Sequence, residues 1–213
     1  MSLDLETLDA DGALRETAAA ASGDTRAAFL AKAGLLGGGL AGLAALGAPE
    51  FAGAASRKGD IAILNYALTL EYLEAAFYTE AERKGALRGE LASFAIVVGG
   101  HERAHVKGLK TALGRKAVKK PMFDFQGRTE DAAKFAATAQ ALEDTGVSAY
   151  AGQAPRVKND DILRAALAIH TVEARHASWI RDYNGVAPAP AGFDKPRTKK
   201  QVLAIVASTG FIV

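Results

Sequence analysis

Four glutamates stand where a helical sequence should place core residues. Glu71 falls in the series Leu64, Leu68, Glu71, Ala75, Tyr78. Glu102 falls in Leu91, Phe94, Val98, Glu102, His105, Leu109. Glu143 follows Phe135 and Ala139 and precedes Gly146, Val147 and Tyr150. Glu173 lies in Ile162, Ala166, Ile169, Glu173, His176, Ile180. Steps of three and four put each series on one face of an α-helix. An ionised carboxylate buried without a partner costs several kcal/mol. A chain with this pattern must bring a counter-charge into its core.

The pattern is also duplicated. Glu71 is followed by Tyr78, and Glu143 by Tyr150, at the same interval of seven residues. Glu71 precedes Glu102-Arg103-Ala104-His105 by 31 residues, and Glu143 precedes Glu173-Ala174-Arg175-His176 by 30. The four stripes define helical segments over 60–84, 88–113, 129–151 and 160–183. Asp60, Thr129 and Asp160 stand as N-terminal caps, and Gly85, Gly114 and Gly185 as stops. No comparable segment alternates with period two, so the fold class is all-α.

Short loops join the first segment to the second and the third to the fourth, giving two antiparallel hairpins. The crossover 114–128 is long. Its fifteen residues reach about 50 Å extended, against about 36 Å for a 24-residue helix. It can span the whole bundle, and Arg115, Lys116, Lys119 and Lys120 suit a solvated strap. The bundle occupies 56–185. A C-terminal extension, 186–213, carries Pro188, Pro190 and Pro196 before a short helical pattern over 199–206, expected to pack over one bundle end.

Two divalent cations would cancel the charges of Glu71, Glu102, Glu143 and Glu173, with His105 and His176 completing the coordination. A Glu and a His three residues apart lie one above the other on a helix, so both reach one site. One Glu from each of two helices and a Glu-x-x-His from each of the other two is the di-iron or di-manganese carboxylate pattern. Hard carboxylates with two imidazoles suit two iron ions or, alternatively, two manganese ions.

The strings ILNYALTLEYLEAAFY (63–78), HERAH (101–105), ALEDTGVSAY (141–150) and VEARH (172–176) resemble the ferritin-like superfamily and, within it, the desiccation-related ferritin-like domain family. The resemblance covers about 60–183. It implies a di-metal four-helix bundle, and exported members with an N-terminal signal are common in that family.

Other residues have two readings each. Glu74, one turn beyond Glu71, is either a second carboxylate of the first helix or a flank residue facing water. Glu71 is preferred because the interval of seven to a tyrosine recurs only with it. Tyr78 and Tyr150 lie about 20° around the helix from their glutamates. They are the candidate catalytic residues, as hydrogen-bond donors to ligand carboxylates or as electron relays; the plainer reading is core tyrosine. His101 points about 100° away from Glu102 and reads as a surface or interface residue. His170 shares a face with Glu173 and is either an extra ligand or a donor behind one, although its counterpart, Gly99, breaks the repeat. Asp144 is a candidate partner for His105 or His176, and Trp179 reads as packing.

Composition narrows the function. The 213 residues include no cysteine, which excludes disulfides, cysteine-bound zinc, iron–sulfur clusters and a thiol nucleophile. It also excludes a built-in rubredoxin-type iron site, so peroxidase turnover needs an external electron donor. A net charge of +2 gives no case for nucleic acid. The methionines, Met1 and Met122, offer no mid-helix axial ligand for haem. Residues 1–55 carry seven acids and three bases. Residues 1–24 read as disordered. The uncharged run Ala33–Pro49 is short for a membrane span and fits the apolar part of an export signal, with Ala52-Gly53-Ala54 as the cleavage site. Thr25-Arg26-Ala27-Ala28-Phe29-Leu30 resembles a twin-arginine signal lacking its second arginine. The expected location is the periplasm or cell envelope, otherwise the cytoplasm. The expected function is a di-iron centre reacting with O₂ or H₂O₂, ferroxidase- or peroxidase-like, in oxidative or desiccation stress. Alternatives are a dimanganese catalase and a non-catalytic metal-sequestering or structural protein of the envelope. A homo-oligomer is compatible with each.

Overall fold

The computed structural model describes residues 58–213. The expected leader over 1–55, with its apolar run and cleavage site, lies outside them. Helix α1 spans Lys58–Lys84, α2 Gly89–Leu113, α3 Ala132–Gln153, α4 Asp160–Tyr183 and α5 Lys199–Thr209. Short 3₁₀ turns, Gly114–Lys116 and Ala154–Arg156, follow α2 and α3. The first four helices form two hairpins, α1–α2 and α3–α4, and the described residues make an all-α four-helix bundle with a short fifth helix. No described helix is long and apolar enough to cross a membrane.

The local signals differ from expectation by one or two residues, each for a physical reason. Asp131 caps α3, accepting from the Lys134 amide at 2.9 Å. Thr129 instead buries its hydroxyl and donates it to Glu80 on α1 at 2.7 Å. Asn159 caps α4 by accepting from two amides, which leaves Asp160 inside the first turn. Asp60 is no cap. It is buried in the first turn of α1 and accepts from the Lys158 amide at 2.9 Å, which ties the start of α1 to the approach to α4. Gly85 closes α1 with a left-handed φ of +59°, and its amide donates to the Ala81 carbonyl.

The crossover runs the length of α1, as its reach allows. Asn65 near the start of α1 holds it at both Lys116 and Val118, donating to one backbone and accepting from the other. Near the other end of α1, Thr129 meets Glu80 and Glu130 meets Lys84. Its lysines and arginine are exposed, but it is more than a solvated strap. Phe125 is buried and packs edge-on against Phe77 of α1, whose ring stacks on Phe135 of α3.

The extension packs along the flank of α1 and α3 rather than over a bundle end. Val202 and Val206 of α5 enter the same core as Tyr66, Leu70, Leu73 and Ala149. The terminal residues clamp the crossover: Asp124 donates its amide to Phe211 and Val213 donates to Met122, beside a lone antiparallel bridge from Phe123 to Ile212. The tightest contact lies at Gly152. The Arg197 amide bonds the Ser148 carbonyl of α3, and a Cβ at Gly152 would lie 1.9 Å from the Arg197 carbonyl oxygen. Only a glycine lets the extension cross α3 there. Gly152→Ala is expected to lift the extension and lower stability by about 1–3 kcal/mol. The loss is read as a lower denaturation midpoint together with faster proteolysis within 186–198.

Candidate metal centre

All six residues expected as ligands converge at one level of the bundle. Glu71 comes from α1, Glu102 and His105 from α2, Glu143 from α3, and Glu173 and His176 from α4. Each glutamate is essentially inaccessible, at 0–1% exposure. Among the described residues, two groups of four hold one donor atom each within 4.8 Å of one another. One is Glu71, Glu102, His105 and Glu173; the other is Glu102, Glu143, Glu173 and His176. Each group has its own Glu and its own His, and the two share Glu102 and Glu173.

The oxygen positions explain that division. His105 Nδ1 lies 3.2 Å from Glu71 Oε2, 3.3 Å from Glu102 Oε2 and 3.1 Å from Glu173 Oε1. His176 Nδ1 lies 3.1 Å from Glu102 Oε1, 3.2 Å from Glu143 Oε2 and 4.0 Å from Glu173 Oε2. Glu102 and Glu173 thus present one oxygen to each histidine, the disposition of carboxylates that bridge two positions. Glu71 and Glu143 each present a single oxygen to the centre.

Their other oxygens are held by the tyrosines. Tyr78 of α1 donates to Glu143 Oε1 on α3, and Tyr150 of α3 donates to Glu71 Oε1 on α1. Each hairpin therefore fixes the other's glutamate. Burial raises both phenols well above their usual range, Tyr78 facing Glu143 and Tyr150 facing Glu71, so both stay protonated and donate.

The donor set fits a metal pair. One ring nitrogen carries at most one proton, yet each Nδ1 faces three carboxylates. Glu102 Oε1 and Glu173 Oε1 each lie 3.1 Å from a histidine nitrogen without an aligned hydrogen bond, and they and Glu173 Oε2 are buried with no hydrogen-bond partner. Buried acceptors of this kind are rare and need an explanation. Two cations set between the carboxylates and imidazoles would satisfy them.

The surroundings correct several expectations. His101 is half-buried at the interface of α2 and α4, which decides for the interface reading over the surface one. Its Nδ1 lies 2.9 Å from His176 Nε2, and the two rings stack with centroids 5.1 Å apart. It orients His176 from behind, the role that such partners play at metal sites. The 100° offset from Glu102 turns it to that interface because α4 lies on that side of α2. Glu74 is buried rather than facing water. Asp144 pairs with Arg181 at 2.7 Å and not with either histidine. His170 belongs to neither group of four, and its Nδ1 is buried without a partner. Trp179 packs edge-on against Phe94 and donates to Glu90 at 2.8 Å. Gly99, where the repeat breaks, lets α2 approach α1: a Cβ there would lie 2.9 Å from the Tyr78 Cβ and 2.3 Å from Glu82 Oε1.

The crowding of acids sets the charge state of the protein without cations. Burial raises Glu173 well above the usual carboxylate range, and Glu102 and Glu71 add to it. Burial also raises Glu71, to about 7, against the pull of His105 and with the help of Glu102. Burial works against charge on His176, but Glu143 and Glu102 win and raise it to about 10. Burial likewise opposes ionisation of Glu102, yet His105 and His176 pull that carboxyl below its usual range. A group with a raised folded value stabilises fully below its unfolded value and loses that contribution as pH rises through the folded one. Glu71 therefore loses its contribution between pH 4.5 and about 7, and His176 between 6.5 and about 10. The melting temperature of chelator-treated protein is expected to fall as pH rises from 4.5 to 7. Metal binding, which displaces these protons, is expected to tighten over the same range. Thermal melts with and without chelator across that range check both; a melting temperature that climbs in chelator would contradict the assignment.

A family model for the ferritin-like domain matches residues 59–186. Among curated proteins no match is found. The matched span covers α1 to α4 and every residue of the two four-membered groups, and the chain belongs to the ferritin-like domain family.

Proposed function

We propose that this protein holds two iron ions between Glu71, Glu102, His105, Glu143, Glu173 and His176 and reduces O₂ or H₂O₂ there, in the manner of a ferroxidase or peroxidase. The observation that carries the reading is the pair of ligand groups sharing Glu102 and Glu173. Held by these two groups, with Glu102 and Glu173 common to both, an iron pair would supply two electrons to O₂ or peroxide. The residues around them position and shield. Tyr78 and Tyr150 hold Glu143 and Glu71 by one oxygen each, so the other oxygen of each is kept for the centre. His101 fixes the ring of His176 through Nε2.

A small pocket is lined by Leu64, Ala67, Leu70, Leu109, Tyr150 and Ile162. Its almost wholly apolar lining admits a small uncharged molecule and suits O₂ better than a charged substrate. The chain has no cysteine, so sustained peroxide reduction draws electrons from an external donor. The uncharged run Ala33–Pro49 and the small residues Ala52–Ala54 support export to the envelope. There, in line with the resemblance to desiccation-related proteins, the centre would protect against oxidative or drying stress.

Metal analysis of the chain purified from its native compartment tests the reading. About two iron atoms per chain are expected, with O₂ consumed on addition of Fe(II) to the metal-free protein. Glu102→Ala combined with Glu173→Ala, which removes both shared carboxylates, is expected to abolish that consumption. Two manganese atoms would make the protein a catalase, and metal bound without O₂ consumption would make it a sequestering protein. Full consumption in the double variant would disprove the site.

A further inference from the structure

In the internal repeat, Glu71 corresponds to Glu143, so Glu74 corresponds to Gly146. One hairpin carries an acid where the other carries no side chain at all. The structure shows that the two positions share one space. A Cβ on Gly146 would lie 3.3 Å from a Glu74 carboxylate oxygen and 3.1 Å from Glu173 Oε2. Helix α3 is bare where Glu74 reaches towards it.

Glu74 is 3% exposed, and the charges that face it are those of Glu173, Glu143, Glu102 and Glu71. Among the described residues Glu74 makes no hydrogen bond or ion pair, and the buried Tyr66 hydroxyl, which senses its charge, is not bonded to it. A fifth ionised acid packed among four is strongly unfavourable, so Glu74 takes either a proton or a cation within its reach. It belongs to neither group of four. Gly146 leaves its carboxylate room to move towards Glu173, which both groups share.

We infer that Glu74 is a fifth carboxylate ligand of the metal centre, seated beside Glu173 by the missing side chain at Gly146. The inference rests on the metal-centre reading above and adds to it. Since α3 supplies no equivalent of Glu74, the two halves of the centre differ, and the departure from the repeat at Gly146 is what admits the extra ligand.

Manganese(II) titration of the full chain, followed by calorimetry and electron paramagnetic resonance, tests it. Glu74→Gln keeps the volume but removes the anionic donor. It is expected to weaken at least one of the two manganese sites by about tenfold or more and to change the spectrum of the manganese pair. Gly146→Ala favours the helix, yet is expected to weaken manganese in the same way, because the methyl enters the space of the carboxylate. Added to Glu74→Gln it is expected to have little further effect, since both act through one space. Unchanged affinities and an unchanged spectrum in Glu74→Gln would overturn the inference and leave the six-ligand centre standing. Wild-type chain that takes up neither manganese nor iron would overturn both. If Glu74→Gln does not fold, Glu74→Leu, which keeps the bulk and has no donor oxygen, carries the test, and unchanged manganese affinity there overturns the inference equally.

Discussion

The structure depends on the burial of five carboxylates at one level of a four-helix core. Glu71, Glu74, Glu102, Glu143 and Glu173 are all nearly inaccessible. In such a place charge must be met by charge or by a proton, because the interior offers little solvation. The two histidines meet part of it, and the two tyrosines each take one oxygen. What remains, the partnerless oxygens of Glu102 and Glu173, is the part that a cation pair would take up. The helices and loops serve to hold these groups where neither water nor surface cations can relieve them.

The cross-bonded tyrosines show how the duplicated sequence becomes one centre. Each hairpin supplies a glutamate and a tyrosine, and each tyrosine is used by the other hairpin. A single hairpin would leave its glutamate with an uncapped second oxygen. The surrounding layer then closes the bundle. The crossover runs along α1 with Phe125 inward, and α5 covers the seam of α1 and α3 with Val202 and Val206. The repeat is broken at Gly99 and Gly146, and in both cases a backbone without Cβ lies against a group of the centre or its tyrosine. Asymmetry in the site thus comes from close approach as much as from added ligands.

The four long helices and the six converging residues were legible because their signal is periodic. A glutamate in phase with leucine, phenylalanine and isoleucine over several turns has few explanations, and its repetition about 70 residues later removes most of them. Caps were legible only to within a residue or two. Thr129 and Asp131, or Asn159 and Asp160, are all good caps, and the choice falls to whichever side-chain oxygen meets the free amides. Asp144 could not be placed, since its partner Arg181 lies on another helix and its pairing depends on how α3 and α4 are rotated. His101 stayed undecided between surface and interface for the same reason. A wheel drawn on α2 alone calls it peripheral, and the neighbouring α4 turns that periphery into an interior.

The sequence by itself determined that the chain is helical, that its halves repeat, and that four acids and two histidines face a common core. These are consequences of local periodicity, which acts within one helix and needs no neighbour. Only the tertiary structure decided which oxygen faces which nitrogen, and so which glutamates are shared and which are held from behind by a tyrosine. It also decided that Glu74 is interior, that His101 backs His176, and that the extension lies along the flank at Gly152. Each of those depends on the separation and rotation of two helices, and no single stretch of sequence encodes an angle between two others.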